Sequence, residues 1–152
     1  MTNNNFVVVI PAFNESSTIF DVVSSIIKKN ITAIVVDDGS SDNTGKLATE
    51  AGAIIVKHSK NKGYEEALST GIEKALEKNY KFAITFDSDD QLDPNDLNKF
   101  IKFQNKDNSD LVIGVRDYRN RYIEYLLGIY GRFRFGIRDP LCGMKLYKLD
   151  VA

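Results

Sequence analysis

Phe6-Val7-Val8-Val9-Ile10-Pro11-Ala12-Phe13-Asn14-Glu15 begins as an unbroken run of aromatic and β-branched residues and ends in a polar segment. A strand that is buried on both faces of a parallel sheet has this continuous apolar character, whereas a half-exposed strand alternates apolar and polar residues. The segment therefore predicts a buried strand at residues 6–10 that runs directly into a polar loop.

Apolar runs of the same kind recur along the chain, separated by segments with helical periodicity. We predict further strands at residues 33–36, 53–56, 82–86 and 111–114. Such an alternation of strands and helices is typical of an α/β domain with a mostly parallel central sheet flanked by helices. At 152 residues the chain is expected to form a single domain with one core.

The composition restricts the class of protein. Hydrophobic residues make up 43% of the chain and charged residues 27%, which is ordinary for a water-soluble domain. We expect no membrane-spanning helix and no signal peptide, and the single cysteine, Cys142, fits a reducing, cytoplasmic compartment. The single histidine, His58, argues against a zinc site and against a histidine-based catalytic triad.

The net charge of −1 conceals an uneven distribution. Every arginine lies at or after Arg116, so the end of the chain is basic while residues 1–115 carry an excess of acidic groups. Because guanidinium groups bind phosphate in a bidentate manner, this basic end favours phosphate recognition. A solvated charged face is an equally good interpretation of the composition alone.

Polar clusters follow three of the predicted strands, at residues 11–15, 37–42 and 87–91. In an open parallel sheet, ligands bind at the carboxyl ends of the strands, and three clusters at that edge predict a shared binding site. Each cluster taken singly is also compatible with an ordinary turn or helix cap. The chain contains neither a G-x-G-x-x-G segment nor a G-x-x-x-x-G-K-[ST] segment, which argues against a dinucleotide fold and a P-loop.

Asp87 and Asp89 lie two residues apart directly after the strand at residues 82–86. Side chains at such a spacing on extended chain point to the same side, so the two carboxylates are expected to face one site. Hard anionic ligands of this kind suit Mg²⁺ or Mn²⁺, which commonly hold the phosphates of a substrate. The spacing therefore predicts metal-assisted chemistry on a diphosphate.

Taken together, these stretches resemble the family-two glycosyltransferases of the GT-A fold, most closely the branch that makes polyprenyl-phosphate sugars. The segments that carry the resemblance are Val8–Glu15, Ile34–Thr44, Asn61–Gly63, Phe86–Gln91 and Asp139–Tyr147.

The resemblance implies roles for individual residues. The residues expected to bind the nucleotide sugar are Pro11, Ala12, Phe13, Glu15, Asp38, Asp87 and Ser88. The residues expected to bind the metal are Asp89, which also counts as catalytic, and Gln91. Asp139 is the second catalytic candidate, as a general base for a hydroxyl acceptor. The residues expected to contact an acceptor phosphate are Arg116, Arg132 and Arg138.

The resemblance further implies an inverting transfer of a sugar from a UDP- or GDP-linked donor to a polyprenyl phosphate, for cell-envelope glycan or glycoconjugate synthesis. Such an enzyme would make peripheral contact with the cytoplasmic face of a membrane and would have no nucleic-acid partner. Residues 1–115 would bind the donor, and residues 116–152 would form a segment on the acceptor side. The alternatives are a transferase that acts on a sugar or protein hydroxyl, and a truncated, non-catalytic module that binds nucleotide sugars.

Overall fold

The structure is a computed structural model that describes residues 3–89, 92–115, 134, 139 and 142–151. Its elements are the strands and helices β1 (Phe6–Ala12), α1 (Ile19–Ile27), β2 (Thr32–Asp37), α2 (Thr44–Glu50), β3 (Ile54–Lys57), α3 (Tyr64–Glu77), β4 (Phe82–Thr85), α4 (Asp96–Asp107), β5 (Leu111–Ile113) and β6 (Lys145–Lys148). Short 3₁₀ helices occupy Asn3–Asn5 and Leu149–Val151. The five predicted strands are all present, and the expected α/β domain with a mostly parallel sheet is confirmed.

The six strands form one sheet in the order β3-β2-β1-β4-β6-β5. β1 lies in the interior and pairs in parallel with β2 and β4, and β3 pairs in parallel with β2. β6 was not predicted from the sequence, and it inserts antiparallel between β4 and β5. β6 has only four residues, and its partner β4 is distant in the sequence. Lys145 contacts Thr85, which lies 60 residues earlier in the chain.

The core consists of two apolar layers, one on each face of β1. Val8 and Ile10 pack with buried residues of α1, α2 and α4, whereas Val7 and Val9 pack with residues of α3. Alternate residues of a strand point to opposite faces, so an all-apolar strand is required when both faces are covered. This explains the unbroken apolar run at the start of the chain.

Gly71 allows α3 to lie unusually close to the sheet. A Cβ atom at this position would be 2.3 Å from Cγ1 of Val9 and 3.2 Å from Cγ2 of Val36. The absence of a side chain therefore sets the distance between α3 and β1, and with it the place where the first turn of α3 meets the carboxyl ends of the strands. α3 has 14 residues, and no helix within the described ranges is long and apolar enough to cross a membrane.

Candidate active site

The loops that follow β1, β2 and β4 lie side by side at one edge of the sheet. The backbone N–H of Asp38 donates to the carbonyl of Ala12 at 2.9 Å, and the N–H of Phe86 donates to the carbonyl of Val9 at 3.0 Å. Because β1 lies between its two parallel neighbours, the polar segments after all three strands share this edge. The structure thus brings together the three clusters that the sequence analysis singled out.

The loops after β1 and β2 are joined by side chains that bond across the gap. The Asn14 Oδ1 atom accepts from the backbone N–H of Ser41 at 2.9 Å, and the N–H of Asn14 donates to Oγ of Ser40 at 3.0 Å. Asn14 has a φ of +56°, a left-handed conformation that asparagine adopts more readily than most residues. These bonds fix the path of the chain between Phe13 and Glu15.

Asp42 also joins the loop after β1 to the segment that leads into α2. Its carboxylate accepts from the hydroxyl of Thr44, from the N–H of Thr44 at 2.9 Å and from the N–H of Ser16 at 3.2 Å. The hydrogen bond from the Thr44 hydroxyl is the main cause that lowers the pKa of Asp42 to about 2. Thr44 also accepts from the N–H of Glu15 at 2.8 Å, so one pair of side chains holds the start of α2 and the loop after β1.

The carboxylate of Asp38 is buried and surrounded by donors. Only 3% of the residue is exposed, and its oxygens accept from the backbone N–H groups of Lys62 and Gly63 at 2.8–3.1 Å. The Nδ1 atom of His58 lies 2.6 Å from Oδ1, and its Nε2 atom lies 3.0 Å from the hydroxyl oxygen of Thr70. Burial acts to raise the pKa of Asp38, but the hydrogen bonds from His58, Lys62 and Gly63 outweigh it and lower the pKa.

The D-x-D segment follows β4 and is anchored to α1. The hydroxyl of Thr18, at the start of α1, donates to the carbonyl of Ser88 at 2.7 Å. Ser88 is buried, Asp87 is half-buried and Asp89 is exposed. The two carboxylates therefore lie at this edge of the sheet, on a backbone that the hydroxyl of Thr18 holds in place.

Tyr64, the first residue of α3, contacts the first of these aspartates. Its hydroxyl donates to Oδ1 of Asp87 at 3.1 Å. Burial raises the pKa of Tyr64, and the negative charge of Asp87 and the hydrogen bond raise it further. The phenol therefore keeps its proton at neutral pH and donates it to Asp87 in a hydrogen bond.

One pocket of about 370 Å³ opens at this edge. It is lined by Pro11, Ala12, Phe13, Glu15, Asp38, Asn61, Gly63, Tyr64, Ala67, Asp87, Ser88 and Asp89. All seven residues predicted to bind the nucleotide sugar are in this set, together with the predicted metal ligand Asp89. The ring of Phe13 is 45% exposed and is available to a ligand.

The remaining predicted residues stand apart from this set. Asp139 is 2% exposed and is absent from the described lining of the pocket, and its carbonyl accepts from the N–H of Cys142 at 3.3 Å. The predicted residues that lie outside the described residues are Gln91, Arg116, Arg132 and Arg138. Their roles stay predictions.

Hard oxygen donors for a divalent cation are present at the pocket, in Asp87 and Asp89. Within the described ranges no group of three or more His, Cys, Asp or Glu side chains is arranged to hold a metal ion. Mg²⁺ is usually bound through one or two carboxylates together with substrate phosphates, so a site with few protein ligands fits such a cation. The donor set therefore suits a metal that arrives with a diphosphate.

Two residues of the pocket region were missed by reasoning from the sequence. His58 was considered only as a metal ligand or triad member, and its contact with Asp38 spans 20 residues of sequence. Tyr64 lies 23 residues from Asp87, and no local pattern predicts their hydrogen bond. The sequence motif closest to His58 and Tyr64 is Asn61–Gly63, which is part of the family resemblance and directly precedes Tyr64.

The chain is similar to known proteins over most of its length. The family model described as Glycosyl transferase family 2 matches residues 7–126. The uncharacterized protein MJ0544 of Methanocaldococcus jannaschii is 33% identical, over 95% of this chain and 72% of that protein. The UDP-N-acetylglucosamine–dolichyl-phosphate N-acetylglucosaminyltransferase of Methanococcus voltae is 35% identical, over 76% of this chain and 53% of that protein.

Among solved structures, glucosyl-3-phosphoglycerate synthase from Mycobacterium tuberculosis, in complex with Mn²⁺, UDP-glucose and phosphoglyceric acid, superimposes with a TM-score of 0.79. The match covers 97% of this chain and 57% of that one at 23% identity, a level that establishes the fold alone. The chain spans between about half and three quarters of the length of these proteins. On the family model and the sequence identities, the chain belongs to Glycosyl transferase family 2.

Proposed function

We propose that this chain is the catalytic domain of an inverting glycosyltransferase that moves a sugar from a UDP- or GDP-linked donor to a polyprenyl phosphate. One observation carries the proposal. Eight residues predicted from the sequence to contact the donor or the metal lie at the carboxyl ends of three different strands, and they line a single pocket. A pocket with a few convergent polar groups at the carboxyl edge of a parallel sheet is where such a fold binds its ligand.

The donor would lie between the loops after β1, β2 and β4. The exposed ring of Phe13 offers an apolar surface for a flat base. Asp38 accepts from three donors, His58, Lys62 and Gly63, and the Lys62 N–H is shared between its two oxygens. A carboxylate has about four acceptor positions, so a base N–H or a ribose hydroxyl would be a fourth donor. Asp87 would contact the nucleotide or the sugar.

Asp89 would hold the divalent cation, with Gln91 as the second predicted ligand. When bound, Mg²⁺ or Mn²⁺ neutralises negative charge on the diphosphate of the leaving nucleotide. The exposed position of Asp89 beside Asp87 leaves room for phosphate oxygens to complete the coordination.

A phosphate acceptor is favoured over a hydroxyl acceptor by the position of Asp139. A phosphate monoester is largely ionised at pH 7, because its second pKa is about 6, and it needs positioning more than a base. A hydroxyl acceptor needs a general base, and the residue predicted for that role, Asp139, is buried and absent from the described pocket lining. The dolichyl-phosphate transferase among the relatives supports the same choice. The enzyme would then work in peripheral contact with the cytoplasmic face of a membrane.

Calorimetric titration of the chain with UDP and GDP, with and without Mn²⁺, tests the donor site. We expect one nucleotide to bind, and to bind more tightly with the cation present. Asp89→Ala is expected to abolish the effect of Mn²⁺, whereas the exposed Asp93→Ala serves as a control that keeps it. Failure of both nucleotides to bind would refute the proposed enzyme.

A turnover assay separates the acceptors. A short polyprenyl phosphate and a soluble sugar alcohol are each supplied with the nucleotide sugar whose nucleotide binds. Transfer to the phosphate alone supports the proposal, and transfer to the alcohol alone supports the hydroxyl alternative. Intact donor binding without transfer to either acceptor would favour a module that only binds nucleotide sugars.

A further inference from the structure

The carboxylate of Asp87 is enclosed by two elements that are remote from it in sequence. We infer that Tyr64 and Gly143 are positioning residues that fix the orientation of the Asp87 carboxylate before the nucleotide arrives. The inference deepens the proposed function and rests on it, because it concerns how the donor-binding aspartate is held. Neither residue was assigned a role by the sequence.

Tyr64 acts on one oxygen of the carboxylate. Its hydroxyl donates to Oδ1 at 3.1 Å, and its ring lines the same pocket as Asp87. The ring sits on the first residue of α3, directly after the two backbone N–H groups, of Lys62 and Gly63, that bind Asp38. The three-residue segment from Lys62 to Tyr64 therefore holds both carboxylates at the ends of β2 and β4.

Gly143 acts on the other oxygen through its lack of a side chain. A Cβ atom at this position would lie 1.8 Å from Oδ2 of Asp87 and 2.5 Å from its Cγ atom. No side chain fits in that space while the carboxylate keeps its orientation. Gly143 thus forms a close boundary on the Oδ2 side, opposite the hydrogen bond on Oδ1.

The position of Gly143 is itself fixed by β4. The buried hydroxyl of Thr85 donates to the carbonyl of Gly143 at 2.5 Å and accepts from the N–H of Lys145 at 3.1 Å. Thr85 is the last residue of β4, two positions before Asp87. The segment that leads into β6 is thereby held against the strand that carries the D-x-D motif, so the boundary beside Asp87 is part of the sheet.

A carboxylate that is already oriented loses less conformational freedom when it contacts a ligand, so its bond contributes more to affinity. Removal of one hydrogen bond to a charged group costs enough to weaken binding by roughly tenfold. We therefore expect Tyr64→Phe, which keeps the ring and removes only the hydroxyl, to weaken nucleotide binding by roughly five- to tenfold. Gly143→Ala forces the carboxylate aside and is expected to weaken binding more, by roughly a hundredfold.

Matched controls separate positioning from general damage. Tyr80→Phe removes a hydroxyl from a half-buried tyrosine that packs against the core on the α3 side, away from the described pocket lining. Gly52→Ala places a side chain at a φ of +99°, between α2 and β3 and away from the described pocket lining. We expect Tyr80→Phe to leave affinity unchanged, and Gly52→Ala to lower the melting temperature without a change in affinity.

A double-mutant cycle measures whether Tyr64 acts through Asp87. In the Asp87→Ala background, Tyr64→Phe is expected to cause no further loss of nucleotide affinity, because the group that it positions is gone. An equal loss in both backgrounds would show that the Tyr64 hydroxyl contacts the ligand directly, and the inference would be wrong.

Crystal structures of the ligand-free wild type and of Gly143→Ala test the geometry without any nucleotide. We expect the Asp87 carboxylate to rotate away from residue 143 and to lose its bond to Tyr64. An unchanged carboxylate would overturn the inference even if nucleotides bind. If the carboxylate rotates in Gly143→Ala but the wild-type protein binds no nucleotide, the positioning inference stands and the proposed function is refuted.

Discussion

Asp38 and Asp87 are two carboxylates of one pocket, and the protein holds them by different means. Asp38 is 3% exposed and is bound by two backbone N–H groups and by His58. Asp87 is half-buried, accepts from the hydroxyl of Tyr64, and lies against Gly143. Backbone donors hold the first carboxylate, whereas a tyrosine hydroxyl and the close approach of a glycine orient the second.

The difference indicates which carboxylate of the pocket contributes to the stability of the fold. A buried carboxylate that satisfies backbone donors cannot be removed without leaving those donors unpaired, so its loss is a loss of stability. A half-buried carboxylate that opens into the pocket can be removed at a smaller cost to the fold, so its loss is expected to affect ligand binding more than stability. The pocket thus combines one carboxylate on which the fold depends strongly with one on which it depends less.

Substitution of the two aspartates gives the largest expected contrast. Asp38→Ala leaves the N–H groups of Lys62 and Gly63 and the ring of His58 without their acceptor, which is expected to lower the free energy of unfolding by roughly 2–3 kcal/mol. Asp87→Ala is expected to lower it by less than about 1 kcal/mol, while nucleotide binding weakens by roughly a hundredfold and stays measurable. Urea denaturation and calorimetric titration measure the two effects.

The conservative variants Asp38→Asn and Asp87→Asn serve as matched controls, since each keeps an acceptor oxygen and removes the charge. Comparable losses of stability for Asp38→Ala and Asp87→Ala would contradict the contrast drawn between the two positions.

Replacement of His58 tests the side-chain partner of Asp38. His58→Phe removes the group that lies 2.6 Å from Asp38 and leaves the Thr70 hydroxyl without that partner. We expect the free energy of unfolding to fall by about 1–2 kcal/mol, less than for Asp38→Ala, because the two backbone donors remain. Thr70→Val, which breaks only the outer bond, is the control and is expected to cost less. A larger loss for His58→Phe than for Asp38→Ala would show that the ring, and not the backbone, holds the carboxylate.

The smallest effect is expected at Asp42, a third and exposed carboxylate of the same edge. Its pKa is lowered from 3.8 to about 2, chiefly by the Thr44 hydroxyl, so the unfolded chain binds a proton at this group more readily than the folded one. The resulting stabilisation is fully present above about pH 4 and is lost as the pH falls toward 2. Asp42→Asn removes it.

The measurement is the free energy of unfolding at about pH 5 and about pH 3. We expect Asp42→Asn to lose less stability than the wild type between these values. Asp21→Asn, which makes the same change of charge at an exposed position on α1, controls for the loss of one negative charge. An Asp42→Asn protein that is as acid-sensitive as the wild type would remove Asp42 from the groups that hold the loops together.

The strands and the polar loops were predictable because their signals are local. The run Phe6–Ile10 is apolar on both faces, and its burial pattern can be read from five consecutive residues. β6 was missed because Lys145-Leu146-Tyr147-Lys148 is short and of mixed polarity, and it becomes a strand only by pairing with β4 and β5.

The sequence by itself determined the α/β class, the three strand ends at which the site is built, and the residues of the nucleotide-sugar motifs. These depend on periodicity and on short motifs, which act within a few residues. The tertiary structure alone decided that β6 enters the sheet beside β4, that His58 supports Asp38, and that Tyr64 and Gly143 enclose Asp87. Each of these contacts joins residues about 20 to 60 positions apart, and such contacts form only when packing of the whole sheet brings the segments together.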